Sequence, residues 1–151
     1  MIKKINKILN EVCTSLNSES WNYHVNIQLF DCGNTGQLSA NSIVKHSLGN
    51  EAIIGGTFSA VPSEIIQDLR NGLEYSGDSS SYPNNDALTN STEISKRKEI
   101  VTLIENYVSE STMVMGLWLK NGHPFYPVFW DFAYIIEHGK SGSLLIGSSS
   151  D

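Results

Sequence analysis

Trp21-Asn22-Tyr23-His24-Val25-Asn26-Ile27-Gln28-Leu29 alternates aromatic or aliphatic residues at every odd position with polar residues at every even one. Successive side chains of an extended chain point to opposite faces, so this period of two predicts a half-buried β-strand over residues 21–29. A sheet with one apolar face needs something to cover it. The segments on either side supply candidate helices.

Upstream, Ile2, Ile5, Ile8, Leu9, Val12 and Leu16 recur at helical spacing with Lys and Asn between them, which predicts an amphipathic helix over 2–16. Downstream, Asp31 to Gly36 supplies turn residues, and Leu38 to Phe58 is expected to contribute one or two further strands. Pro62 and Ser63 followed by Glu64, Ile65, Ile66, Leu69 and Leu73 read as a second helix, with Pro at its start and an acidic first turn. It ends near Gly72 to Gly77. Residues 76–91 form a polar stretch without periodicity, read as a mobile loop and as a candidate contact segment. Ser91 or Thr92 is the expected cap of a third helix, whose stripe runs through Ile94, Ile100, Val101, Leu103, Ile104 and Val108.

Met113 to Leu119 reads as a buried strand, and Lys120-Asn121-Gly122-His123 as a tight hairpin turn. Val128 to Ile136 is read as strand rather than helix, His138 to Gly142 as a turn, Ser143 to Gly147 as a last strand and Ser148 to Asp151 as a polar terminus. The expected fold is α+β, one domain over 1–151, with an antiparallel or mixed sheet of about five to six strands and about three helices against one face.

With sixteen acidic and ten basic residues the chain carries a formal charge of −6. That field repels nucleic-acid backbones and anionic membrane surfaces and favours basic partners. Glu64, Asp68, Glu74, Asp78, Asp86 and Glu93 fall between positions 63 and 93 with Arg70 as the only base there. Lys3, Lys4 and Lys7, and Lys96, Arg97 and Lys98, read as exposed helix faces. Cys13 and Cys32 are too few for a disulfide scaffold and read as reduced thiols. No apolar run is long enough to span a bilayer, and the expected location is the cytoplasm.

His24, His46, His123 and His138 are too widely spaced to put two ligands on one helical turn. The sequence contains no nucleophile elbow, phosphate-cradling Gly-Lys loop or dinucleotide fingerprint, and Ser42-Ile43-Val44-Lys45 lacks the companions its Ser-x-x-Lys pattern requires. No metal, cofactor or catalytic residue is expected. The enzymatic or small-ligand alternative rests on a pocket where His123, Asp131 and His138 would converge. The aromatic group Trp118, Phe125, Tyr126, Phe129, Trp130, Phe132 and Tyr134 is expected to be mostly core, with some rings left as an exposed patch. Buried between copies, that segment would instead make the chain a subunit of a homo-oligomeric scaffold.

Gly122-His123-Pro124-Phe125-Tyr126-Pro127-Val128-Phe129-Trp130-Asp131-Phe132, followed by Ser141-Gly142-Ser143-Leu144-Leu145-Ile146-Gly147-Ser148-Ser149-Ser150-Asp151, resembles the immunity proteins of bacterial polymorphic-toxin and contact-dependent growth inhibition systems. The resemblance implies a small cytosolic domain that binds and blocks a cognate toxin domain, often a basic nuclease. It carries over no functional residue. On physical grounds Asp68, Glu74, Asp78 and Asp86 are expected to steer a basic partner, with Tyr75 or Tyr82 as the anchoring ring.

Overall fold

The computed structural model describes residues 1–123 and 128–151. It is α+β, built as α1 (Ile2–Asn17), β1 (His24–Asn34), α2 (Ala40–Leu48), β2 (Ile53–Ser59), α3 (Pro62–Leu73), α4 (Asn85–Thr89), α5 (Ser91–Ser109), β3 (Met113–Asn121), β4 (Asp131–His138) and β5 (Ser141–Ser150). The five strands form one open sheet in the order β1-β5-β4-β3-β2, every neighbouring pair antiparallel. No helix among the described residues is long and apolar enough to cross a membrane.

Parity sorts the sheet's two faces. Val25, Ile27 and Leu29 of β1, Phe132, Tyr134 and Ile136 of β4 and Leu145 of β5 point to the larger core, where α1, α3, α4 and α5 lie. Cys32, Leu117, Ala133, Ile135, Leu144 and Ile146 point to the smaller one, closed by Ile43 and Val44 of α2. Helices thus cover both faces, not one as expected. This is why Phe132 to Ile136 and Leu144 to Ile146 read as unbroken apolar runs instead of alternating ones.

α2 is the main departure from expectation, since it occupies part of a segment read as strand. Its ends explain it: the Ser39 hydroxyl accepts from the Ser42 amide at 3.2 Å, and Gly49 stops the helix with φ of 103°. One strand, β2, comes from that segment, within the one or two expected.

Smaller differences have equally local causes. The ladder of β1 starts at His24, not Trp21, because Asn22 takes a left-handed φ of 46°. Cys32 lies within β1, not in a turn after it. Asn90, not Ser91 or Thr92, caps α5, accepting from the amides of Thr92 and Glu93 at 2.9 and 3.3 Å. Lys120 to His123 makes no tight hairpin: β3 continues to Asn121, and β4 does not begin until Asp131. The aromatic residues Phe125 and Tyr126 lie outside the described residues.

Ser148 and Ser149 belong to β5, not to a polar tail, and both are fully buried. Nor is 76–91 structureless, for it contains α4 and a β-bridge between Trp21 and Tyr82.

The sheet's two edges are treated differently. On β1, the Asn17 amide donates to the Val25 carbonyl and accepts from the Val25 N–H, both at 2.8 Å. Asn6 does the same for Leu29, at 2.7 and 2.9 Å. Two side chains of α1 thus satisfy main-chain groups that would otherwise await another strand, a form of edge protection. β2, at the opposite edge, has no such cover among the described residues.

Candidate protein-binding surface

The loops at 18–23 and 76–84 meet at one end of the molecule. Trp21 and Tyr82 exchange two backbone hydrogen bonds, each 2.9 Å, as a single antiparallel bridge. Residues directly opposite in such a bridge project to the same side, so both side chains leave the bridge in the same direction. Both face solvent, Trp21 at 58% and Tyr82 at 38% exposure.

The backbone beneath this pair is heavily constrained. Glu19 and Asn22 flank Trp21 with φ of 54° and 46°, a region that residues with side chains seldom occupy. Ser81 is buried and its hydroxyl donates to the Asn22 carbonyl. The Asn22 amide in turn donates to the Ser80 carbonyl at 3.2 Å. The Asp78 carboxylate accepts from the Ser80 hydroxyl and amide at 2.7 Å each and from the Ser81 amide at 3.1 Å. These bonds hold its pKa below the ordinary carboxylate value, the Ser80 hydroxyl contributing most. Gly77 turns the chain at φ of 70°, and a Cβ there would lie 2.1 Å from the Ser81 carbonyl oxygen.

Of the residues singled out from sequence, Asp78 and Tyr82 therefore belong to this end. Tyr75 supports it from within, stacked on Tyr23 with centroids 5.8 Å apart and tilted against Phe129 at 5.7 Å. Asp86 is exposed in the first turn of α4, whose Asn84 cap joins α1 by donating its backbone N–H to the Leu16 carbonyl at 2.8 Å. Glu74 lines a groove of about 470 Å³ between α3 and α5, together with Arg70, Arg97 and Lys98. Asp68 is on α3 facing the sheet, where its carboxylate accepts from the Tyr134 hydroxyl. The six residues divide among these settings and do not form one patch.

Sequence reading missed Trp21 as a surface residue because alternation placed it with the buried odd positions of its strand. The available signal was Asn22, a residue that tolerates left-handed φ and so permits a break in the alternation.

The other constellation considered does not assemble. Asp131 and His138 are the two ends of β4, about 23 Å apart at ~3.3 Å per residue, and their odd separation puts them on opposite faces. His138 packs on Tyr107, centroids 4.5 Å apart, with its Nε2 2.8 Å from the Tyr107 carbonyl oxygen. Among the described residues no three His, Cys, Asp or Glu side chains are grouped to hold a metal ion. Cys13 and Cys32 are both free and buried, and burial pushes the Cys13 thiol up to about 11.

No family model matches the chain, and neither a curated protein nor a solved structure matches it.

Proposed function

We propose that this chain is a protein-binding domain of the immunity type, which neutralises a cognate toxin domain by covering its active site. The observation that carries the reading is the exposed Trp21–Tyr82 pair, held on a backbone whose bonds and left-handed residues leave it little freedom. Tryptophan and tyrosine are the residues most enriched where protein interfaces concentrate their energy, and a rigid pair loses little entropy on binding. The chain's charge of −6, with Asp78 and Asp86 exposed on the same loop and the helix that follows it, suits a basic partner such as a nuclease domain. Such a field accelerates encounter more than it deepens affinity.

The test is to produce the chain with the protein encoded beside it. Co-purification, and growth that survives only when both are made, support the reading. Growth unaffected by the neighbour and no complex between the two argue against it. In a complex that does form, Trp21→Ala is expected to weaken binding about 30-fold or more, the level of an interface hot spot, while leaving the free domain folded.

A further inference from the structure

The geometry points to a second docking site at the open edge of the sheet: β2 accepts an extended, cationic strand of a partner protein. This goes beyond the Trp21–Tyr82 surface and does not depend on it.

The contrast between the two edges is the starting point. α1 closes β1 with Asn6 and Asn17, whereas β2 pairs with β3 alone and no side chain of the described residues bonds to its main chain. Ile53-Ile54-Gly55-Gly56-Thr57-Phe58-Ser59 contains none of the charged residues or prolines that usually guard an edge. Its register shifts between Ile53 and Gly56 confine the regular ladder to Gly56–Ser59, opposite Trp118 to Met115. Main-chain N–H and C=O groups in a row are best satisfied by another extended main chain, which makes the occupant a strand.

The side chains beside that edge specify its chemistry. The helix layer stops short of β2 and β3, leaving Phe58 at 47% and Trp118 at 54% exposure. Glycines form the shelf beneath them: a Cβ on Gly116 would sit 2.1 Å from the Phe58 ring, and one on Gly55 would sit 2.0 Å from the Trp118 ring. Phe58 meets Tyr134 edge to face, centroids 6.3 Å apart, and the Tyr134 hydroxyl reaches Asp68. Glu64, exposed in the first turn of α3, is among the charges acting on Tyr134.

Two exposed rings, with Glu64 and Asp68 grouped at the Tyr134 that Phe58 meets, match a lysine or arginine whose stem lies on the rings and whose charge meets the two carboxylates. A second copy of this chain, paired edge to edge, would bring a like-charged α3 alongside this one. Charge complementarity therefore favours a cationic partner strand over self-association.

The test uses the full chain, isotope-labelled, and a capped Lys-Val-Lys-Val-Lys-Val peptide, which places all its lysines on one face. Amide shifts centred on Gly56–Ser59 with the Trp118 indole, half-saturating at or below about 1 mM and weakened at least fivefold both in the Glu-Val analogue and by Glu64→Gln with Asp68→Asn, are the expected result. Thr57→Pro, which removes one edge N–H, or Phe58→Ser should abolish them; retained Trp21 and Tyr82 resonances report that each variant is folded. No shifts at β2, equal shifts with the acidic peptide, or a dimer that Phe58→Lys dissociates would each overturn the proposal.

Discussion

Replacing Asn17 with Ala removes two hydrogen bonds at once, because its side chain both donates to and accepts from Val25 at 2.8 Å. A net worth of about 1 kcal/mol per bond gives a loss of about 2 kcal/mol. The freed groups belong to Val25, which is fully buried, so this is the lower end of the expected loss. Asn6→Ala removes the equivalent pair to Leu29 and should cost the same. The two positions are eleven residues apart on α1, about 16 Å along the helix axis at ~1.5 Å per residue, so their effects should add to within about 0.5 kcal/mol. The double variant then loses about 4 kcal/mol, a large share of the 5–15 kcal/mol typical of a domain. Urea unfolding reads this as a lower midpoint at unchanged slope. The double variant should also associate through the exposed β1 edge, visible by light scattering. A loss below about 0.5 kcal/mol for either single variant would refute the view that these side chains stand in for a sixth strand.

Other consequences follow from burial and backbone geometry. Ser148 is fully buried in β5, and its hydroxyl has no hydrogen-bond partner among the described residues, so Ser148→Ala should stabilise the fold by about 1 kcal/mol in the same urea assay. Burial raises the Cys13 thiol from 9.0 to about 11 and the Tyr23 phenol from 10.0 to about 12. Both are protonated in the folded state over a range where the unfolded chain has already ionised. Their contribution is therefore intact below about pH 9 and is lost as the pH climbs through 11 and 12. The urea midpoint should fall over that interval, and Cys13→Ala should flatten the lower part of the fall. Gly77→Ala forces a side chain into φ of 70° and against the Ser81 carbonyl. It should release the 77–82 turn at a cost of about 1–3 kcal/mol, seen as new proteolytic cleavage there while the rest of the fold persists.

What could be read in advance depended on whether a segment's burial followed its own periodicity. α1 and α3 present a broad stripe to the larger core, and β1 buries Val25, Ile27 and Leu29 in strict alternation, so their patterns were explicit. α2 buries only Ile43 and Val44 against the smaller core, and two adjacent β-branched residues read as strand. The informative residues there were the terminal ones, Ser39 and Gly49. Ser148 and Ser149 read as tail residues because serine side chains are mostly exposed. In a central strand covered on both faces, small size decides what fits.

The candidate surface was less legible. Asp78 and Tyr82 could be singled out from a polar, aromatic loop, but their partner Trp21 is some sixty positions away in sequence and only the fold brings them together. Asp68 and Glu74 are six residues apart on one helix yet turn to different neighbours, Tyr134 for one and the α3–α5 groove for the other. Counting acidic residues along the chain cannot separate them.

The most direct test of the binding reading is calorimetric titration of the chain, and of its Trp21→Ala and Tyr82→Ala variants, with the protein encoded beside it. Binding by the parent chain that weakens at least about 30-fold in either variant, with unfolding transitions unchanged, is the predicted result. Equal affinity in all three proteins would contradict the placement of the interface, and no heat with any of them would contradict the immunity reading itself.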